Sequence, residues 1–426
     1  MSAQGLVSRQ AALDLIRAVL TYRKPLDTAL DASPAFKLLP VRDRGLARHL
    51  AATTLRRLNA IDDLIGQCVD KPLGQRGEPA SMALRLGIAQ LLFLDLPPHA
   101  AVATAVELAP ANYKGLVNAV LRRIGRDGRA MLAALDLDRT CIPDWLWQDW
   151  VQDWGADKAG LIAKASLQEA PLDLCVTADA EKWAEALGAE TLPTGSLRLM
   201  KPGPVTELPG FKEGAWWVQD AAAALPVRLL GEVRGLKVAD LCAAPGGKTV
   251  QLAALGAEIT AVEKADGKLP RMRENLARLH LQARLITADA ASWKPGLAQD
   301  AVLLDAPCTA TGTLRRHPDA LHLKRQSDVA GMQESQAKLL ANAAKMLKTG
   351  GKLVYCVCSL SKAEGEAIAR QAPPSLVIDP ICADEIAGLP EGAITKEGFL
   401  RTFPDMWADR GGMDGFFAAR FKRIEE

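Results

Sequence analysis

The groups best suited to covalent chemistry in this chain are two thiols and a carboxylate, Cys308, Cys358 and Asp305. Asp305 follows Ala301-Val-Leu-Leu304, an apolar run that reads as a buried strand carrying the aspartate to its carboxyl end. Pro307 fixes the backbone next to Cys308 and helps to aim it. Cys358 closes a second apolar run, Lys352–Cys358. Residues two apart on a strand share a face, so Cys356 would point with Cys358 unless the strand ends at Val357. The expectation is that Cys356 packs in the sheet and Cys358 lies at the strand end, near a ligand cleft. Two cysteines at neighbouring strand tops, one with an aspartate beside it, suggest nucleophilic thiol chemistry.

A second stretch is built to let backbone approach a ligand. Leu236–Leu241 reads as a short strand, Ala243-Ala-Pro-Gly-Gly247 as a tight turn, and Lys248–Leu255 as a helix. Glycines without side chains and the free N–H groups of a helix start suit a nucleotide-like ligand. The pattern is neither G-x-G-x-x-G nor a P-loop.

These groups need a scaffold. From residue 237 onward the pattern alternates strictly, with strands at 237–241, 258–262, 284–287, 301–304 and 352–358 and helices at 248–255, 269–279 and 329–347. Alternation of this kind predicts a parallel sheet with helices on both faces. Gly350-Gly351 reads as the cap of the last helix, and Gly415–Phe421 as a strand at one sheet edge. Ligand groups gather at the carboxyl ends of such strands. There Glu263 is placed to accept from ribose hydroxyls and Asp289 to receive an exocyclic amine.

The first part of the chain is different. Residues from about 8 to 140 read as all helix, with Ser8 as candidate cap and Ala12, Leu15, Ile16, Val19 and Leu20 as an apolar stripe. Arg42, Arg44, Arg48, Arg56 and Arg57 form one basic cluster, and Arg122, Arg123, Arg126 and Arg129 another. Each is either a solvated face or a set of phosphate contacts. Trp145, Trp147, Trp150 and Trp154 crowd one stretch, expected as a helix packing between domains, with nucleic-acid stacking the alternative that the few interleaved basic residues favour less, and residues 172–200 read as a small α+β unit.

Composition narrows the class. A chain of 426 residues should hold about two or three domains. A formal net charge of +2 gives no polyanion-binding tail. No apolar run is long enough to span a bilayer, and Met1–Gln10 shows no signal-peptide pattern, so a cytoplasmic protein without membrane association is expected. The eight cysteines show no C-x-x-C pair and no histidine at ligand spacing, so no metal is expected.

Three segments together resemble the Sun/Nop2 family of RNA cytosine-C5 methyltransferases. They are Asp240-Leu-Cys-Ala-Ala-Pro-Gly-Gly-Lys-Thr249, Asp305-Ala-Pro-Cys-Thr-Ala-Thr-Gly312 with Arg315-Arg-His-Pro-Asp319, and Cys358-Ser-Leu-Ser-Lys-Ala-Glu-Gly-Glu366. The resemblance extends to the N-terminal helices and to Leu400–Asp405 and Asp414–Phe417. It implies an α/β, Rossmann-like, S-adenosylmethionine-dependent methyltransferase domain at 216–426. It also implies an all-α NusB-like RNA-binding domain at 1–143 and a linker helix with a small RRM-like α+β subdomain at 144–215. S-adenosylmethionine would be held by Cys242, Ala243, Ala244, Pro245, Gly246, Gly247, Lys248, Glu263, Asp289 and Asp305. Cys358 would be the nucleophile and Cys308 the thiol that helps release product, acting on a monomer's RNA substrate, small-subunit ribosomal RNA. Transfer RNA as substrate, or a non-catalytic RNA-binding factor that kept the fold, are the alternatives. Two departures stand out: Val357 where the family often has Thr, and Ala310 where it often has Gly, so the loop at Ala310 is expected to differ.

Overall fold

The structure, a computed structural model, describes residues 3–200 and 202–425. Met1 and Ser2, at the start of the segment read for a signal peptide, and Glu426, at the end of the expected catalytic domain, lie outside the described residues. The chain forms two compact units. One runs to Gln168 and also takes in Leu314–Arg325; the other comprises Glu169–Thr313 and the chain from Gln326 onward.

The first unit is helical. Its main helices are Ala3–Leu20, Val41–Arg56, Leu58–Gly66, Glu78–Leu92, Pro98–Leu108 and Lys114–Ala133. The stripe of Leu15, Ile16 and Val19 is fully buried against Leu50, Leu55 and Leu86, and Leu84 and Ile88 pack with Val120, Leu121 and Ile124. Each such side chain contributes about 1.5–3 kcal/mol on burial. Ser8 does not cap the first helix. It is buried inside it, because the five residues from Ala3 continue the helix N-terminally.

Leu314–Arg325 is held by this helical unit. Leu26 N donates to Asp319 Oδ2 at 3.0 Å, Arg56 Nη2 to the Arg315 carbonyl at 2.9 Å, and Arg23 to the carbonyls of His322 and Leu323. The His322 ring bonds the Leu55 carbonyl at 2.7 Å, and Leu323 packs on the helical core. Arg56 is therefore a buried structural group, and Arg57 bonds the Leu167 carbonyl and covers the Phe93 ring. Arg42, Arg48, Arg122, Arg123, Arg126 and Arg129 are exposed.

The second unit holds two sheets. The smaller has β1 (Leu172–Val176), β2 (Glu190–Thr191), β3 (Leu197–Leu199) and β4 (Trp216–Val218) in the order β2-β3-β1-β4. Its centre is an ion pair with no exposed side-chain surface: Arg198 Nε and Nη2 each donate at 2.7 Å to Asp173, which also accepts from Ala221 N.

The larger sheet is built from β5 (Lys237–Leu241), β6 (Glu258–Glu263), β7 (Arg284–Thr287), β8 (Gln299–Asp305), β9 (Leu347–Val357), β10 (Leu376–Ile378), β11 (Leu400–Thr402) and β12 (Phe416–Arg423). The order is β10-β12-β9-β8-β5-β6-β7, with β11 on β12. β5 pairs in parallel with both β6 and β8, so the chain reverses direction across the sheet at β5. Ligand sites form at such switch points.

Two expectations are corrected. β12 is not an edge strand: it runs antiparallel between β9 and β10. Gly350-Gly351 does not cap the preceding helix, Gln326–Met346. Leu347 already pairs with Gln299 and Lys352 with Ala301, so the residues between them bulge out of β9, and Gly350 takes φ +81° there.

Candidate active site

The strand ends converge as the alternation requires. Cys242, Ala244, Glu263, Asp289, Asp305, Cys308 and Cys358 line one cavity of about 790 Å³. Its apolar walls include Val262, Ala290, Ala291, Pro307 and Leu339. Ala243, Pro245, Gly246, Gly247 and Lys248 form the turn behind it.

The turn is set by backbone geometry. Gly246 takes φ +104°, the left-handed region that favours glycine, just before the helix Gly247–Ala254. Thr249 Oγ1 donates to Asp240 Oδ2 at 2.5 Å beneath the turn, and burial pushes the Asp240 carboxyl up to about 7. Lys248 does not line the cavity. Its Nζ donates to Asp305 Oδ2 at 2.7 Å and lies 4.8 Å from the centre of the Phe416 ring. Burial would lower its pKa, but the Asp305 charge outweighs burial and raises it.

Glu263 is buried and bridges two loops. Oε2 accepts from Ala244 N at 3.2 Å and Oε1 from Ala265 N at 2.9 Å. Asp289 accepts from Lys264 Nζ at 2.8 Å and from Ala291 N at 3.0 Å, and the Lys264 bond holds its carboxyl below the usual range. A nucleoside with a cationic amino-acid tail fits this acceptor set: carboxylates spaced along an apolar cleft, each with oxygen lone pairs left to accept. The structure thus fits S-adenosylmethionine on Glu263, Asp289 and the β5 turn.

The thiols lie together. Cys308 Sγ and Cys358 Sγ are 3.5 Å apart. The Cys358 sulfur beside it, with burial, pushes the Cys308 thiol well above its ordinary value. Cys358 lies just beyond β9, half-buried, while Cys356 is fully buried within β9 and its Sγ is 3.6 Å from Asp305 Oδ1. The strand does end at Val357, so the two cysteines are not equivalent. Cys242 takes φ +61° at the end of β5, and burial pushes its thiol up to about 12, which leaves it inert at neutral pH.

Ala310 takes a left-handed backbone, at φ +58°, of the kind a glycine adopts freely. An alanine there costs about 1–2 kcal/mol. Gly312 has no such freedom to change: a Cβ would come within 1.9 Å of the Gly415 carbonyl oxygen.

The sequence reading missed Glu364. It is fully buried, and its carboxylate accepts from Thr309 N at 2.8 Å, Thr309 Oγ1, Ser359 Oγ at 2.6 Å and Gln336 Nε2 at 3.2 Å. The only sequence signal was its place six residues after Cys358 in the motif itself.

A switch-point cavity flanked by strand-end acids, on this strand order, defines a Rossmann-like S-adenosylmethionine-dependent methyltransferase. Residues 228–422 match the family described as 16S rRNA methyltransferase RsmB/F, and residues 6–126 match the NusB family. The ribosomal RNA small subunit methyltransferase B of Pseudomonas syringae pv. tomato is 34% identical over 98% of this chain and 97% of its own length. That of Vibrio cholerae is 35% identical over 92% and 95%. The solved structure of PH0851 shares the fold across 99% of both chains, with a TM-score of 0.75 at 23% identity. A methyltransferase homologue from Pyrococcus horikoshii covers 65% of this chain and 94% of its own, at a TM-score of 0.54 and 27% identity. The chain belongs to the 16S rRNA methyltransferase RsmB/F family, with an N-terminal NusB domain.

Proposed function

We propose that this protein forms 5-methylcytosine in small-subunit ribosomal RNA, with Cys358 as nucleophile. The observation that carries the reading is the Cys308–Cys358 pair, 3.5 Å apart on the wall of the cofactor cavity. Carbon 5 of cytosine is a poor nucleophile. When bound, S-adenosylmethionine supplies an electrophilic methyl group to it. Cys358 Sγ, as thiolate, bonds to carbon 6 and raises electron density at carbon 5. Asp305, at the end of β8, would share a proton with the ring nitrogen N3 and so stabilise the charge that develops. A base then takes the carbon 5 proton, with Cys308 or a water it orients assisting. The electrons of that C–H bond restore the ring double bond, and the Cys358–carbon 6 bond breaks. The target base must leave its stack to reach the cavity, at a cost of a few kcal/mol unless it lies in a loop.

Glu263, Asp289 and residues 242–248 hold the cofactor in this reading. The helical residues 1–143 bind RNA, as the NusB match supports, and residues 144–215 and 216–426 supply the small α+β part and the catalytic part. The protein works as a cytoplasmic monomer without a metal. Among the described residues no helix is long and apolar enough to cross a membrane.

The test is the fate of the covalent adduct. Cys308→Ala should trap protein bound to RNA, while Cys358→Ala should form none. An adduct on Cys358→Ala would reverse the two roles.

A further inference from the structure

The loops that carry the two thiols are joined through one buried carboxylate. Thr309 follows Cys308 and Ser359 follows Cys358. Both bond Glu364: Thr309 through its N–H and hydroxyl, Ser359 through its hydroxyl. Oε1 takes the Thr309 N–H and Gln336 Nε2, and Oε2 takes the two hydroxyls. Glu364, Thr309, Ser359 and Gln336 all have no exposed surface. Glu364 is itself fixed through its carbonyl, which accepts from the Tyr355 hydroxyl at 2.6 Å. Gln336 also reaches the Pro307 carbonyl at 2.9 Å, and Gly312 N donates to the Cys358 carbonyl at 2.9 Å, so the loops are tied on both sides of Cys308.

We propose that Glu364 is a positioning residue for the thiol pair. It holds Thr309 and Ser359, and with them Cys308 and Cys358, at the separation the reaction uses. This rests on the reading of the two cysteines as the reacting thiols. Glu364 does not line the cavity and touches no reacting atom, so it acts through the loops. Buried donors have no water to replace a lost acceptor, so removing the carboxylate frees both loops at once. A shift of the order of 1 Å at a reacting atom costs roughly 100-fold in rate.

The test uses the full-length protein with Glu364→Ala, Glu364→Gln and Thr309→Val. Turnover is measured on small-subunit ribosomal RNA transcribed in vitro, and S-adenosylmethionine affinity by calorimetry. The thiol geometry is read separately as the rate at which diamide closes a Cys308–Cys358 disulfide, followed by mass spectrometry. In that step the N=N bond of diamide takes up the two thiol hydrogens to give a hydrazine as the S–S bond forms.

Glu364→Ala is expected to lower kcat about 100-fold. Cofactor affinity and KM for RNA should stay within about two-fold of the parent, and disulfide closure should slow about ten-fold or more. Glu364→Gln should restore most of both, because its amide oxygen can accept from Thr309 N–H while its NH2 donates to the hydroxyls. If Glu364→Ala does not fold, Thr309→Val carries the test, with a fall of about ten-fold in kcat for the lost hydroxyl bonds to Glu364 and Ser359.

Parent-like disulfide closure in Glu364→Ala, or in Thr309→Val if that variant carries the test, would overturn the proposal. So would a Glu364→Gln variant as impaired as the alanine. The disulfide readout needs no RNA, so it tests Glu364 alone. An RNA adduct on Cys358→Ala would instead sink the roles given to the thiols.

Discussion

Lys248 Nζ lies 2.7 Å from Asp305 Oδ2, which joins the turn after β5 to the loop after β8. The first borders the cavity at Ala244, and the second leads to Cys308. Lys248 belongs to the turn proposed to hold the cofactor, and its ammonium pairs with the aspartate, with the Phe416 ring 4.8 Å away.

Lys248→Met should therefore destabilise the protein and slow it. Removing one partner of a fully buried pair costs about 3–5 kcal/mol. The Asp305 side chain is 29% exposed, so a loss of about 2–3 kcal/mol is expected in urea unfolding. The double variant Lys248→Met, Asp305→Asn should be less destabilised than the single lysine change. Additive losses would show that the pair has no coupling.

The cysteine variants should separate by adduct rather than by overall activity. Both Cys308→Ala and Cys358→Ala should lose turnover by several orders of magnitude, yet only the first should migrate with RNA on a denaturing gel. S-adenosylmethionine should bind both with parent affinity, since neither thiol belongs to the acids at Glu263 and Asp289. A loss of cofactor binding in either would point to a collapsed cavity.

Asp240 predicts a pH dependence of stability. Its carboxyl is raised by burial from 3.8 to about 7, so the folded protein holds a proton that the unfolded chain releases. That contribution is complete below about pH 3.8 and is lost as pH rises through about 7. Within this window each pH unit removes up to about 1.4 kcal/mol. Asp240→Asn abolishes the titration, so its stability relative to the parent should rise between pH 5 and pH 8. A constant difference in melting temperature across that range would contradict the assignment.

Arg122 and Arg126 are exposed and one turn apart on the helix Lys114–Ala133. Replacing both by alanine should weaken RNA binding and reduce the slope of log K against log salt by up to about 1.4–1.8, at about 0.7–0.9 per phosphate contact. Cofactor affinity should not move. An unchanged salt slope would return this face to ordinary solvation. Point changes are the right probe, because deleting residues 1–143 would also strip the cover from Leu314 and Leu321, both buried in this unit.

Much of the site was legible because parallel strands deliver their last residue to one edge. Asp305 after Ala301–Leu304, Glu263 at the end of β6 and Cys358 after β9 needed only the strand period and the rule that ligands gather at strand ends. What the sequence hid was pairing across distance. Lys248 and Asp305 are 57 positions apart, and Glu364 reaches Thr309 across 55. Neither partner choice leaves a periodic trace. The bulge in β9 was hidden for a related reason: Gly350-Gly351 suits a helix cap and a bulge equally, and only the pairing of Leu347 with Gln299 decides between them. Ala310 takes a left-handed backbone at φ +58°, which nothing in an alanine's local sequence announces.

The hold of the helical unit on Leu314–Arg325 has a consequence for biosynthesis. The helices through Lys114–Ala133 leave the ribosome first, but the groups that satisfy Leu26 N–H and Arg56 are made some hundreds of residues later, in Arg315 and Asp319. The N-terminal unit is thus completed only after four of the eight strands of the larger sheet have been translated. A nascent chain halted at residue 313 should show faster amide exchange at Leu26 than the finished protein, with the inner helices, around Leu50 and Ile88, already protected. Equal exchange at Leu26 in the two would mean that the early helices need no late partner.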